Sequence, residues 1–319
     1  MPSIQSPLGA LPARFRRSRL LIVGCGDIGL RVAGSLAHKL TVRALTSQPA
    51  RAPALRAAGI TPLSGNLDHA PTLRRLAGLA PRVLHLAPPA GQGARDGRTL
   101  ALLRALRLRA APSALVYAST SGVYGDCAGA YVDEVRALAP TTARALRRVD
   151  AEAHVRFFGR AAGVCTSVLR VPGIYAPNRE GGTPLARLRN GTPVLDAGDD
   201  VYTNHIHADD LARACVLALW RGKPQRAYNI NDDAVLKMGD YFTAAAALYG
   251  VPVPPRISRA RAALEIAPMQ LSFMSESRRM VNTRMKRELG LRLQFPHVLG
   301  GLAAVPQVPL VSAALSLGR

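Results

Sequence analysis

The stretch Leu20-Leu21-Ile22-Val23-Gly24-Cys25-Gly26-Asp27-Ile28-Gly29 decides the fold. Four apolar residues make a compact buried strand, and the glycines that follow make a turn with G-x-G-x-x-G spacing. Residues 30–38 then read as a helix and 41–45 as a second strand. In a strand–turn–helix–strand unit the three glycines have separate uses. The first allows a tight turn, the second lets the backbone approach a pyrophosphate, and the third lets helix and strand pack closely. The free N–H groups and positive dipole end of the helix face the same point. Gly24, Gly26, Asp27, Ile28 and Gly29 are therefore candidate dinucleotide-binding residues.

The second strand ends in Leu45-Thr46-Ser47, with Arg43 and Arg51 nearby and no acidic residue. An Asp or Glu there holds the ribose 2′-hydroxyl of NAD, whereas hydroxyls and an arginine suit a 2′-phosphate. Thr46, Ser47 and Arg51 thus favour NADP over NAD.

Working outward, the alternation continues. Helices are expected over 54–58, 72–79, 100–108 and 142–158, and strands over 61–63, 83–87, 114–118 and 166–170. That order predicts an α/β fold: a Rossmann-type doubly wound parallel sheet with helices on both faces. After Val171 the sequence turns rich in Pro and Gly, which predicts a smaller C-terminal substrate lobe with helices near 209–220, 238–249 and 275–289. The expected division is a flexible arm over 1–18, a cofactor-binding domain over 19–170, a substrate lobe over 171–300 and a tail over 301–319. Parts of 205–235 return to the first domain. The polar–apolar mixture over 269–278 is expected to face substrate or a partner, or to contain a helix cap at Ser275.

Composition narrows the function classes. A 48% hydrophobic content across 319 residues supports a core and argues against disorder. The net charge of +22 invites a nucleic-acid reading. The basic residues form no run of five and no aromatic-interleaved stripe, so no nucleic-acid partner is expected; the charge instead suits attraction of an anionic cofactor or substrate. No apolar stretch reaches the roughly 18 residues a spanning helix needs, and Pro306 and Pro309 interrupt the nearest approach. Arg14, Arg16, Arg17 and Arg19 precede too short an apolar segment for a signal peptide, so a cytoplasmic protein without a membrane partner is expected. Cys25, Cys127, Cys165 and Cys215 stand singly, which is neither a zinc nor a disulfide pattern. His205 and His207 lie beside Asp209 and Asp210. Alternating histidines point to opposite faces of a strand, and the acids fit a helix start, so no metal is expected.

Beyond these motifs the chain resembles the extended short-chain dehydrogenase/reductase family, also called the NAD-dependent epimerase/dehydratase family, over roughly 20–235. Gly65-Asn66-Leu67 is similar to the family's G-D-L at the adenine, with Asn for Asp. His85-Leu86-Ala87-Pro88 resembles the strand end lining the cofactor. The most specific match is Ser119-Thr120-Ser121-Gly122-Val123-Tyr124-Gly125-Asp126, similar to S-S-x-x-V-Y-G-D. Pro172-Gly173-Ile174-Tyr175 resembles the loop beside the nicotinamide, and the 205–212 stretch the helix start that follows. The plain G-x-G-x-x-G form is similar to that of the YeeZ-like bacterial branch. The resemblance implies a cofactor contact at Asn66, Leu67, Leu86, Ala87, Pro88, Pro172, Gly173 and Ile174, a carbonyl- or hydroxyl-bearing small-molecule substrate, and a homodimer through helices.

The resemblance also exposes a departure. The family uses a Ser or Thr hydroxyl, and a Tyr and Lys spaced Y-x-x-x-K. Thr120 fills the first role. The helix matching P-x-x-x-Y-x-x-x-K-x-x-x-E carries Pro140, Arg144, Arg148 and Glu152, so arginine stands at both the Tyr and the Lys position. Arginine does not shuttle protons near neutral pH. Arg148 is expected to hold ribose or phosphate, and Arg144 an anionic substrate group or developing oxyanion; the alternative is that both are surface charges. Tyr124 is the first candidate proton donor and is equally read as a packing residue, with Tyr175 and His205 behind it. Two functions follow: an NADP-dependent oxidoreductase or epimerase, or an NADP-binding sensor or assembly protein without turnover.

Overall fold

A computed structural model describes residues 18–304. The expected arm over 1–18 and the tail over 301–319 lie almost wholly outside the described residues. Seven parallel strands form the central sheet: β1 (Arg19–Val23), β2 (Thr41–Thr46), β3 (Thr61–Ser64), β4 (Arg82–His85), β5 (Ala114–Thr120), β6 (Cys165–Val171) and β7 (Arg226–Asn229). Their order across the sheet is β7-β6-β5-β4-β1-β2-β3. Chain order reverses between β1 and β4, and ligands bind such sheets in the crevice at that switch point.

Helices α1 (Asp27–Leu36), α2 (Ala52–Ala57), α3 (Gly97–Leu106), α4 (Ala143–Ala162), α5 (Ala208–Arg221) and α6 (Met238–Tyr249) are the principal helices. The apolar run of β1 is needed because both faces of the sheet are covered. Leu20 and Ile22 pack with Val32 and Leu36 of α1 and Leu211 and Cys215 of α5. Leu21 and Val23 pack on the other face with Leu102 and Leu106 of α3 and Val155 and Phe158 of α4. Asp96 caps α3 by accepting from the backbone N–H groups of Arg98 and Thr99, and Thr142 caps α4 by accepting from Ala145.

A third core, built on Leu188, Val194, Leu195, Tyr241, Phe242 and Val298, belongs to the C-terminal part. The chain leaves this core to add α5 and β7 to the central sheet, where Arg226–Asn229 pairs with β6.

Three sequence expectations are corrected. The first helix begins at Asp27, inside the glycine turn, and not at residue 30. Residues 70–76 form a 3₁₀ helix with Pro71 in its first turn instead of an α-helix over 72–79. No continuous helix spans 275–289: Arg279–Met280 pairs with Tyr131–Val132, and only residues 283–289 are helical, Met285–Leu289 as a π-turn. Side-chain bonds explain this last difference. Asp126 Oδ1 accepts from the backbone of Ser277 at 2.8 Å, and Asn282 Nδ2 donates to the carbonyl of Asn231 at 2.9 Å, so the segment is tied to neighbours that compete with helix formation. None of the four cysteines is in a disulfide. Among the described residues no helix is long and apolar enough to cross a membrane.

Candidate functional site

The three glycines of the turn meet different surroundings. Gly24 has φ +88°, and a Cβ there would lie 2.4 Å from the backbone nitrogen of Ala87. That close approach exists because Val23 O accepts from Leu86 N at 2.7 Å and Ala87 N at 3.0 Å. A Cβ on Gly29 would sit 3.1 Å from Cys25 Sγ and 3.3 Å from Ile22 Cγ2, so its absence sets the spacing of α1 on β1. A Cβ on Gly26 would meet nothing within 4 Å. Gly26 therefore fills no packing need and borders open space. No side chain caps α1, which leaves its first N–H groups facing outward. These residues fit a dinucleotide pyrophosphate.

The other expected cofactor positions surround the turn in part. Arg51 Nη2 donates to the carbonyl of Cys25 at 2.8 Å, bringing a guanidinium from the end of β2 onto the turn. Thr46 Oγ1 accepts from Gln48 N at 3.2 Å, and Ser47 is exposed. Asp27 sits in the first turn of α1, where its carboxylate is matched by Arg31 and Arg179. Ile28 packs into the core, so only its backbone faces the crevice. Asn66 Oδ1 accepts from Asp68 N at 3.0 Å. Asp68 is paired with Arg98 at 2.6 Å, and Arg98 Nη1 reaches Pro88 O at 3.4 Å. This bridge joins the Asn66 loop to the Pro88 loop. Leu67 and Leu86 are half-buried against opposite faces of the core, Ala87 is buried, and Pro88 is exposed.

Thr120 ends β5, and its Oγ1 accepts from Gly122 N at 3.3 Å, which leaves its O–H free to donate. Thr120 pairs with Val171 across the sheet. Pro172, Gly173 and Ile174 follow directly, with Gly173–Tyr175 parallel to His205–His207. Arg148 Nη1 donates to Ala118 O at 2.7 Å and to Tyr117 Oη at 3.0 Å. Arg144 is exposed near the start of α4. The 269–278 segment reaches the residue before the α4 cap: Thr141 Oγ1 donates to Glu276 Oε1 at 3.1 Å.

The three proton-donor candidates all lie inside the protein. Tyr124 is 1% exposed. Its hydroxyl donates to Asn229 Oδ1 at 2.7 Å and accepts from Arg170 Nη1 at 2.9 Å. Burial pushes its phenol up to about 12. It is a packing residue whose proton is committed inside the protein. Tyr175 is buried and lies edge-on to the ring of His207, 5.2 Å away. His205 is buried against Tyr241 at 4.4 Å, and burial lowers its imidazole to about 4. His207 Nδ1 accepts from Asp209 N at 3.2 Å and so caps α5.

Two buried networks went unread in the sequence. Glu152 accepts from Ser119 Oγ at 2.7 Å and from Arg170 Nη2 at 2.9 Å. His85 Nε2 lies 2.9 Å from Thr99 Oγ1, which donates to Asp96 Oδ2 at 2.6 Å. A charged residue inside the apolar run Val168-Leu169-Arg170-Val171 is the signal that would have announced the first.

Comparison with known proteins adds the following. A model of the NAD dependent epimerase/dehydratase family matches residues 20–231. A functionally unknown conserved protein from Silicibacter pomeroyi is 31% identical, with a TM-score of 0.75 over 89% of this chain and 96% of that one. The UDP-glucose 4-epimerase of Thermotoga maritima, solved with UDP-glucose, is 19% identical with a TM-score of 0.71 over 89% and 96%. The dTDP-glucose 4,6-dehydratase of Streptomyces venezuelae, solved with NAD, is 22% identical with a TM-score of 0.72 over 89% and 94%. A trifunctional UDP-glucose 4,6-dehydratase/epimerase/reductase of Arabidopsis thaliana is 25% identical over 161 residues, 48% of this chain and 24% of that protein. The match thus spans about a quarter of that relative's length.

Proposed function

The chain belongs to the NAD dependent epimerase/dehydratase family, and from that premise we propose that it binds NADP above the β1–α1 turn and interconverts a carbonyl and a hydroxyl group on a small, anionic substrate. The open space at Gly26 beside an uncapped helix carries this reading. Arg51 on the turn, the hydroxyls of Thr46 and Ser47, and the lack of a carboxylate at the end of β2 support a 2′-phosphate. A bound nicotinamide would give or take the hydride.

The chain's own residues then have these parts. Thr120 donates its O–H to the substrate oxygen and passes the proton to or from water. Arg144 offers a permanent positive charge to an anionic group or a developing oxyanion. Arg148 uses one nitrogen on β5, and its Nε and Nη2 would hold the ribose of a bound cofactor. The cofactor part of the reading comprises 19–170 with α5 and β7, and the substrate lobe takes the rest of 171–300. Leu146 and Phe157, exposed on α4, support a homodimer through that helix.

Burial of Tyr124 and arginine at both family positions favour a second reading, an NADP-binding sensor or assembly protein without turnover. Cofactor absorbance followed against a panel of carbonyl substrates separates the two. Turnover that Thr120→Ala lowers about 100-fold supports the enzyme. Tight NADP binding with no absorbance change on any substrate supports the sensor.

A further inference from the structure

A second cleft, of about 460 Å³, opens beside the β7 edge of the sheet between α4 and the loop over 134–138. That volume is within the range of small-molecule sites. No residue of the glycine turn or of the ends of β2, β4 and β5 lines it. Five arginines and two glutamates do. Both carboxylates are already engaged. Glu152 is held by Arg170, whose side chain is 2% exposed. Glu134 accepts from Asn229 N at 2.9 Å and faces Arg284 at 3.4 Å. Arg226 pairs with Glu288, outside the cleft.

Two guanidiniums are left over. Among the described residues no carboxylate pairs with Arg136. Arg156 has only a 3.5 Å contact to Glu152 Oε2, an oxygen that Arg170 holds at 2.9 Å. Leu138, Val149, Ala153 and Ala227 supply apolar lining. Gln225, also on the wall, has φ +54°, an uncommon conformation for a residue with a side chain. Surplus guanidiniums above an apolar surface suit an anion with an apolar body, and two forks together offer donors for the three oxygens of a phosphate.

We propose that this cleft binds a small organic phosphate with an apolar body, the phosphate held by Arg136 and Arg156. The site is separate from the crevice and does not depend on the function proposed for it.

Phenyl phosphate is the probe, titrated calorimetrically into the full chain. Saturable binding is expected, weakened about tenfold or more in Arg136→Ala/Arg156→Ala. Arg136→Ala alone leaves the Arg156–Glu152 contact intact and is expected to weaken binding to a smaller extent. Inorganic phosphate is expected to bind more weakly than phenyl phosphate, since it leaves the apolar lining uncovered. Unchanged affinity in the double variant would put the phosphate elsewhere on this basic chain and overturn the proposal, as would the absence of saturable binding to the unsubstituted protein.

Discussion

Gly24 and Gly26 stand two residues apart and answer to different constraints. Gly24 combines a positive φ with backbone atoms 2.4 Å from where a Cβ would lie. Gly24→Ala is therefore expected to destabilise the fold by about 2 kcal/mol or more, through strain and overpacking together, as a fall in the urea midpoint. Arg51 is the corresponding test of cofactor choice. Arg51→Ala should weaken NADP binding about tenfold, the value of a charge-assisted contact, and change NAD binding little. Equal losses for the two cofactors would detach Arg51 from the 2′-phosphate. At this scale the placement of the glycines between β1 and α1, of Thr120 at the end of β5 and of the two arginines on α4 was legible in the sequence, since each is fixed by spacing. The fate of Tyr124 was not. A motif places a residue on an element, but the direction of its hydroxyl depends on Asn229 and Arg170, distant in sequence and near only after folding.

Between elements, the buried Glu152–Arg170 pair joins α4 to β6, and Ser119 brings in β5. Removing one member of such a pair leaves an uncompensated charge, so Glu152→Ala should cost about 3 kcal/mol or more, measured by denaturant unfolding. A loss below about 1 kcal/mol would show that water reaches and solvates Arg170 in the variant. The elements were legible to different degrees. β1, β2, β5 and β6 follow from apolar runs bounded by Gly or polar residues. The 275–289 segment does not: its helical apolar spacing is overridden by hydrogen bonds to Asp126 and Asn231, which periodicity does not register.

Across the whole molecule, burial sets the pH dependence. It pushes the Asp232 carboxyl up to about 8 and lowers the His85 and His205 imidazoles to about 3 and about 4. In the unfolded chain a carboxyl titrates near ~4 and an imidazole near ~6.5. Asp232 thus contributes stability that is full below about pH 4 and lost as pH rises through about 8. Each histidine contributes stability that is full above about pH 6.5 and lost as pH falls through its folded value. These three groups together place the maximum near about pH 6.5. Asp232→Asn removes the alkaline loss, so the gap between urea stabilities at pH 6.5 and pH 8.5 should narrow; an unchanged gap contradicts this role. The layer order and parallel sheet were legible from alternation alone. The buried acid was not, because nothing local in Asn231-Asp232-Asp233 tells which carboxylate faces inward.

If the crevice at the β1–α1 turn is a cofactor site, Gly26 is the position where a side chain would block it. A Cβ there meets no protein atom within 4 Å, so Gly26→Val should keep the fold, with a urea midpoint close to the parent's, while filling the approach to the pyrophosphate. The measurement is a fluorescence titration of NADPH into the parent and into Gly26→Val. Saturable binding in the parent, lost in a variant of equal stability, is the expected result. Equal binding in both proteins, or none in the parent, would contradict the account.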